Sequence, residues 1–89
     1  MSSPAPPRND SITELIDIGR RVIAAMRADN NGYASYMAQV VDLIEAGRLS
    51  AARRRYSAIP KAGMGGMLDS IDPISYQLLP RFMQLLDGD

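Results

Sequence analysis

Apolar positions recur along this chain at steps of three and four, the period of a helix with one buried side. Ile12, Leu15, Ile16, Gly19, Val22, Ile23 and Met26 keep that spacing, with Asp17, Arg20, Arg21 and Arg27 mostly on the opposite side. They predict a first helix that ends near Ala28. Ser11-Ile12-Thr13-Glu14 has the S-x-x-E spacing of a capping box, which sets the expected start at Ser11. Asp29-Asn30-Asn31-Gly32 tolerates turn and left-handed geometry, so the helix should stop there and Asn30 or Asn31 can cap the next. Tyr33, Tyr36, Met37, Val40, Val41, Leu43 and Ile44 carry a second helix to Gly47, which suits the C′ position.

Ser50 is the expected N-cap of a short third helix, whose stripe of Leu49, Ala52, Tyr56 and Ile59 runs until Pro60 forbids continuation. Residues 61–70 combine Gly63, Gly65 and Gly66 with Met64, Met67 and Leu68, the composition of an ordered loop pinned onto a core. Asp72-Pro73 then signals a helix start, and Ile74, Leu78, Leu79, Phe82, Met83 and Leu86 mark the expected buried face. Pro80 removes an amide bond inside that element, so the last helix is expected to be kinked or split there. Strand-like alternation is absent. The expected fold class is all-α: a small irregular bundle of about four helices around Leu15, Ile16, Val22, Met37, Val40, Ile44, Tyr56, Leu79 and Phe82.

Length limits the organisation. Eighty-nine residues support one core, so residues 11–89 read as a single helical domain and the proline-rich residues 1–10 as a disordered tail. A domain this small buries only roughly 60 to 65% of the surface its unfolded chain exposes, which favours shared burial with a partner or a second copy.

Two stretches carry a resemblance, Leu43-Ile44-Glu45-Ala46-Gly47-Arg48 and Ala62-Gly63-Met64-Gly65-Gly66-Met67-Leu68-Asp69. They resemble a family of small bacterial helical proteins of uncharacterised activity, in which a second helix ends in a Leu-x-x-Gly-Asp-like turn. A short third helix and a Gly-Gly-Met-Gly-Ser-x-Asn-Asp loop follow in that family. Gly63, Met64, Gly65 and Asp69 fall on the pattern, whereas Ala62, Gly66 and Leu68 depart from it and lose its polar Ser and Asn. The resemblance implies an all-helical fold and transfers no activity.

Composition removes much chemistry. Without cysteine or histidine there is no disulfide, no thiolate and no imidazole ligand or base. Ten basic and ten acidic residues cancel, so no broad field steers the chain toward nucleic acid or anionic lipid. No apolar stretch approaches the roughly 20 residues that span a bilayer, and the expected compartment is the cytoplasm.

Three features could still carry function. Glycine-rich backbone before a helix can cradle phosphate, but residues 63–69 follow no strand, lack a Gly-Lys-Ser/Thr ending and are flanked by Asp69 and Asp72. Gly63, Met64, Gly65, Met67 and Asp69 therefore read as a structural or partner-binding loop with an adaptable methionine pair. The segment 48–61 holds Arg48, Arg53, Arg54, Arg55 and Lys61 with no acid between them. It offers a basic patch of Arg48, Arg53 and Arg55 to nucleic acid, against the plainer reading of a solvated face paired with Asp42, Glu45 or the acidic C-terminus. Consecutive arginines spread about 100° apart around a helix, and Arg53 falls where a helix-turn-helix wants a buried apolar residue. The carboxylate pairs Asp69 with Asp72 and Asp42 with Glu45 are explained by capping, by loop support and by a polar helix face. The tyrosines and most methionines are expected in the core, with tyrosine hydroxyls at its rim.

The expected function is that of a small non-catalytic protein-interaction domain, an adaptor, accessory or immunity-type protein. It would need no cofactor or metal and would have a protein partner or its own copy as ligand. The alternative is a nucleic-acid-binding regulator that uses segment 48–61.

Overall fold

A computed structural model describes residues 7–61, 63–69 and 71–88, with side chains described from residue 11 onward. Four helices follow one another: α1 (Pro7–Ala28), α2 (Ala34–Glu45), α3 (Leu49–Ala58) and α4 (Pro73–Leu86). No strand occurs among the described residues, so the bundle is all-α, as the apolar period predicts.

The first helix departs from expectation at its start. Ser11 lies one turn inside α1, so it is no N-cap and the capping box does not form. The Glu14 carboxylate instead takes two hydrogen bonds from Arg81 of α4, at 3.0 and 3.1 Å. The expected disordered tail covered residues 1–10; residues 7–10 are the first turn of α1, and 1–6 lie outside the described residues.

The helix ends obey the turn chemistry. Asn30 adopts a left-handed φ of 57°. Asn31 N–H then reaches the Met26 carbonyl at 2.8 Å and Asn30 N–H the Arg27 carbonyl at 3.1 Å, the paired bonds of a Schellman closure. Gly47, at φ 80°, closes α2 in the same way, through Arg48 N–H to Leu43 and Gly47 N–H to Ile44. That closure delivers the chain straight into α3, so Arg48 occupies the N-cap position with no side-chain cap and Ser50 lies inside the helix. Ser50 as N-cap is therefore corrected. At α4 the expectation holds: Asp72 accepts the Ser75 amide at 2.8 Å and Pro73 opens the helix. Pro80 lies in the helix interior, where it has no amide to offer the Tyr76 carbonyl.

α1 packs against both α2 and α4, and α3 packs against α2. α2 turns back along α1 from the short 29–33 connection, so that Glu45 at its end meets Arg20, and α4 also runs antiparallel to α1, with Ser75 Oγ at the Val22 carbonyl and Arg81 at Glu14. Gly19 lets the three helices close: a Cβ there would stand 2.5 Å from Val41 Cγ2 and 3.1 Å from the Phe82 ring. Phe82, Leu15, Met26, Met37, Val22 and Val40 are fully enclosed, and Tyr56 joins α3 to α4 through a tilted ring contact with Phe82 at 5.4 Å. Of the expected core, Ile16 is half-buried and the others are buried. Ile74 and Met83, placed on the inner face of α4 by period alone, are exposed instead, at 58% and 45%.

Candidate functional site

The glycine loop is held from both ends. Met67 N–H donates to the Pro60 carbonyl at 2.7 Å and Leu68 N–H to the Lys61 carbonyl at 2.9 Å. These bonds tie the way out of the loop to its way in. Gly63 and Gly65 adopt φ of 89° and 82°, a region that L side chains rarely enter. The Asp69 carboxylate accepts the Gly65 amide at 3.2 Å, and the Tyr33 hydroxyl donates to the Gly65 carbonyl at 2.7 Å. The tip is thus braced by its own aspartate and by a tyrosine at the start of α2.

This geometry separates the two methionines. The left-handed glycines fold the chain back so that Met67 enters the core at 1% exposure, while Met64 stands in solvent at 99%. The expected adaptable pair is therefore corrected to one exposed side chain on an anchored loop, with Leu68 exposed nearby in sequence. Between the loop and the α1–α2 turn lies a cleft lined by Asp29, Asn31, Tyr33, Gly65 and Asp69 among others. Asp29 and Asp69 give it negative character, which opposes a phosphate there. No group of three or more candidate metal-ligating side chains occurs among the described residues.

The basic segment does not assemble as one patch. Arg53 turns toward α4, where its Nε donates to the Leu86 carbonyl at 2.6 Å. Arg48 and Arg54 line a shallow recess at the start of α3 with Ser50; Arg55, also exposed, lies in the last turn of that helix. Arg48 and Arg53 thus serve different surfaces. The plainer pairing is also revised, because Glu45 is taken by Arg20 of α1 and the C-terminal end engages Arg53 through a carbonyl.

Lys61 closes α3. Its Nζ donates to the carbonyls of Tyr56 at 2.6 Å and Ile59 at 3.0 Å and lies 4.5 Å from the centre of the Tyr56 ring. Burial lowers its pKa, since desolvation penalises the ammonium. The Tyr56 phenol is pushed up to about 12, first by burial and then by the charge of Asp87. Tyr56 therefore stays protonated into alkaline pH, above the value at which an ordinary tyrosine ionises.

Tyr33 was expected only as a core residue with its hydroxyl at the rim. It is half-buried and makes a tilted ring contact with Tyr36 at 5.5 Å, and its bond to the loop has no signature in local sequence. Tyr36 and Tyr76 are exposed, at 46% and 65%, which corrects their expected place in the core.

Comparison with protein-family models, curated proteins and solved structures finds no match. Among the described residues, no helix is long and apolar enough to cross a membrane.

Proposed function

We propose that this chain is a small non-catalytic protein-interaction domain, of adaptor, accessory or immunity type, that presents the loop around Met64 to a protein partner. The observation that carries this reading is Met64 itself: a flexible apolar side chain at 99% exposure on a backbone fixed by hydrogen bonds from outside the tip and within it. An anchored loop loses little backbone freedom on binding, and a methionine adapts to an apolar pocket without demanding one shape. The kinship to small bacterial helical proteins, and with it a bacterial and cytoplasmic setting, belongs to the same proposal.

The test places a photoreactive diazirine residue at position 64 in cells, with position 39 on the outer face of α2 as control. One discrete adduct is expected from 64 and none from 39. The captured protein, purified, should bind wild type and lose at least tenfold in affinity to Met64→Asp, a substitution that leaves the fold intact because Met64 touches solvent. Equal affinity for Met64→Asp would end the reading.

A second reading keeps nucleic acid as the ligand of segment 48–61, because Arg48 and Arg54 share one recess. It requires binding that falls steeply with salt, and that weakens in Arg48→Ala while Arg53→Ala acts on stability.

A further inference from the structure

The fold sorts the methionines by access. Among the described residues, Met26, Met37 and Met67 are enclosed in the core, Met83 on α4 is 45% exposed and Met64 is 99% exposed. The chain has no cysteine, so these thioethers are the sulfur that a two-electron oxidant meets.

The loop leaves the Met64 sulfur open on every side. Its neighbours in the chain are Gly63 and Gly65, which bring no side chain to shield it. A Cβ built on either glycine would meet nothing beyond its chain neighbours within 4 Å. The hydrogen bonds to Pro60, Lys61, Tyr33 and Asp69 hold the loop while this side chain stays in solvent, so no opening of the fold is needed to reach it. Met67, three residues further on, has the same glycine-rich surroundings in sequence and the opposite access, since its sulfur is reached only when the loop leaves the core.

We propose that Met64 is a reversible oxidation site, at which a peroxide switches off the apolar contact of the loop and a methionine sulfoxide reductase restores it. A lone pair of the thioether sulfur attacks one oxygen of hydrogen peroxide. The S–O bond forms, the O–O bond breaks, and the departing hydroxide takes the proton of the transferred oxygen and leaves as water. Sulfur loses two electrons and the peroxide gains them. In the return step a dithiol supplies two electrons and two protons, becomes a disulfide, and the sulfoxide oxygen leaves as water. Because both lone pairs are open, both sulfoxide epimers form, and each of the two stereospecific reductases removes one of them.

The consequence for binding rests on the reading of Met64 as the partner contact; the chemistry at the sulfur does not. A sulfoxide is polar, and an apolar pocket that received the thioether would have to strip water from the new oxygen without replacing its hydrogen bonds. The fold is spared, because the side chain that changes touches solvent.

The full native chain is treated with hydrogen peroxide, digested with trypsin and mapped by mass spectrometry, with fragmentation of the 62–81 peptide to separate Met64 from Met67. Met64 should convert first, about twofold or more ahead of Met83 and about tenfold or more ahead of Met26, Met37 and Met67, and urea should bring all five to similar rates. Either reductase alone should remove about half of the Met64 sulfoxide, and both together all of it. In a Met83→Leu background, oxidation should shorten retention on a phenyl column with an unchanged helical spectrum, and reduction should restore it. The protein captured through position 64 should bind the oxidised chain about tenfold more weakly, and regain its affinity after reduction. Conversion of Met67 alongside Met64, or of Met83 first, overturns the assignment of the site. Equal affinity for the oxidised and reduced forms overturns the switch, and if Met64→Asp still binds poorly the partner contact itself stands. Equal affinity for Met64→Asp as well ends both readings of the binding role, while the order of oxidation still decides the chemistry.

Discussion

The Nε of Arg53 on α3 donates to the main-chain carbonyl of Leu86, in the last turn of α4, at 2.6 Å. A guanidinium at a helix C-terminus satisfies a carbonyl that the helix itself leaves open and meets the negative end of the helix dipole. The bond also joins two helices that otherwise meet through Tyr56 and Phe82. Arg53→Ala should lose about 1–2 kcal/mol of stability, the low end for a charge-assisted bond because the side chain is only half-buried. Arg55→Ala, on an exposed position of the same helix, should change stability by less than about 0.5 kcal/mol. Urea unfolding followed by circular dichroism compares them, and equal losses would remove the structural role assigned to Arg53.

The two methionines of the glycine loop provide a matched pair. Met67 is 1% exposed and Met64 is 99% exposed, three residues apart. Met67→Ala should cost about 2–5 kcal/mol, through lost burial and the cavity left behind. Met64→Ala should be within about 0.5 kcal/mol of wild type. A large loss in Met64→Ala would mean that the exposed side chain folds down onto the protein in solution.

Gly19 tests the closeness of α1, α2 and α4. In an open helix, alanine in place of glycine gains about 0.5–1 kcal/mol. Here the new methyl would stand 2.5 Å from Val41 Cγ2, and valine is stiff about its first torsion. Overpacking of about 1–3 kcal/mol should outweigh the propensity gain, so Gly19→Ala is expected to destabilise. Adding Val41→Ala makes room, and the double variant should lose less than the two single losses together. Simple additivity would show that Val41 is not what the methyl meets.

Most of the fold could be read from the chain because each boundary has a local cause. Asn30, Gly47 and Pro60 each forbid or end a helix by their own backbone chemistry, and Asp72-Pro73 opens one. What escaped was governed by contacts distant in sequence. Glu14 fitted a capping box, yet Arg81, far along the chain, holds it. Met67 has no periodic neighbours, since the glycines beside it break any pattern, so its burial follows only from the path of the loop. On α4 apolar residues occupy two arcs, and periodicity alone cannot say that Leu79 and Phe82 face inward while Tyr76 and Met83 face out. The candidate site was named in sequence by its glycines, but the brace from Tyr33 depends on the packing of the loop against the start of α2.

Alkaline pH should expose the burial of Tyr56. Its phenol has an ordinary value of 10.0 and is raised to about 12 in the fold, mainly by burial. Between these values the unfolded chain gives up a proton that the native protein keeps, which favours unfolding. The stabilisation is therefore complete below pH 10 and is lost as the pH rises toward 12. Lys61 acts with the opposite sign: its lowered pKa lets the native protein release a proton that the unfolded chain retains, so its effect favours the fold as pH rises toward the ordinary lysine value of 10.5. Wild type should lose stability from pH 10 to 12, with one step of tyrosinate absorbance that coincides with unfolding. Tyr56→Phe removes the unfavourable proton release and leaves that of Lys61 in place. Its urea midpoint, lower or equal at neutral pH, should fall less steeply than that of wild type over the same range. Parallel decline in the two proteins would show that some other group drives the alkaline transition, and that the Tyr56 phenolate is accommodated without loss of the fold.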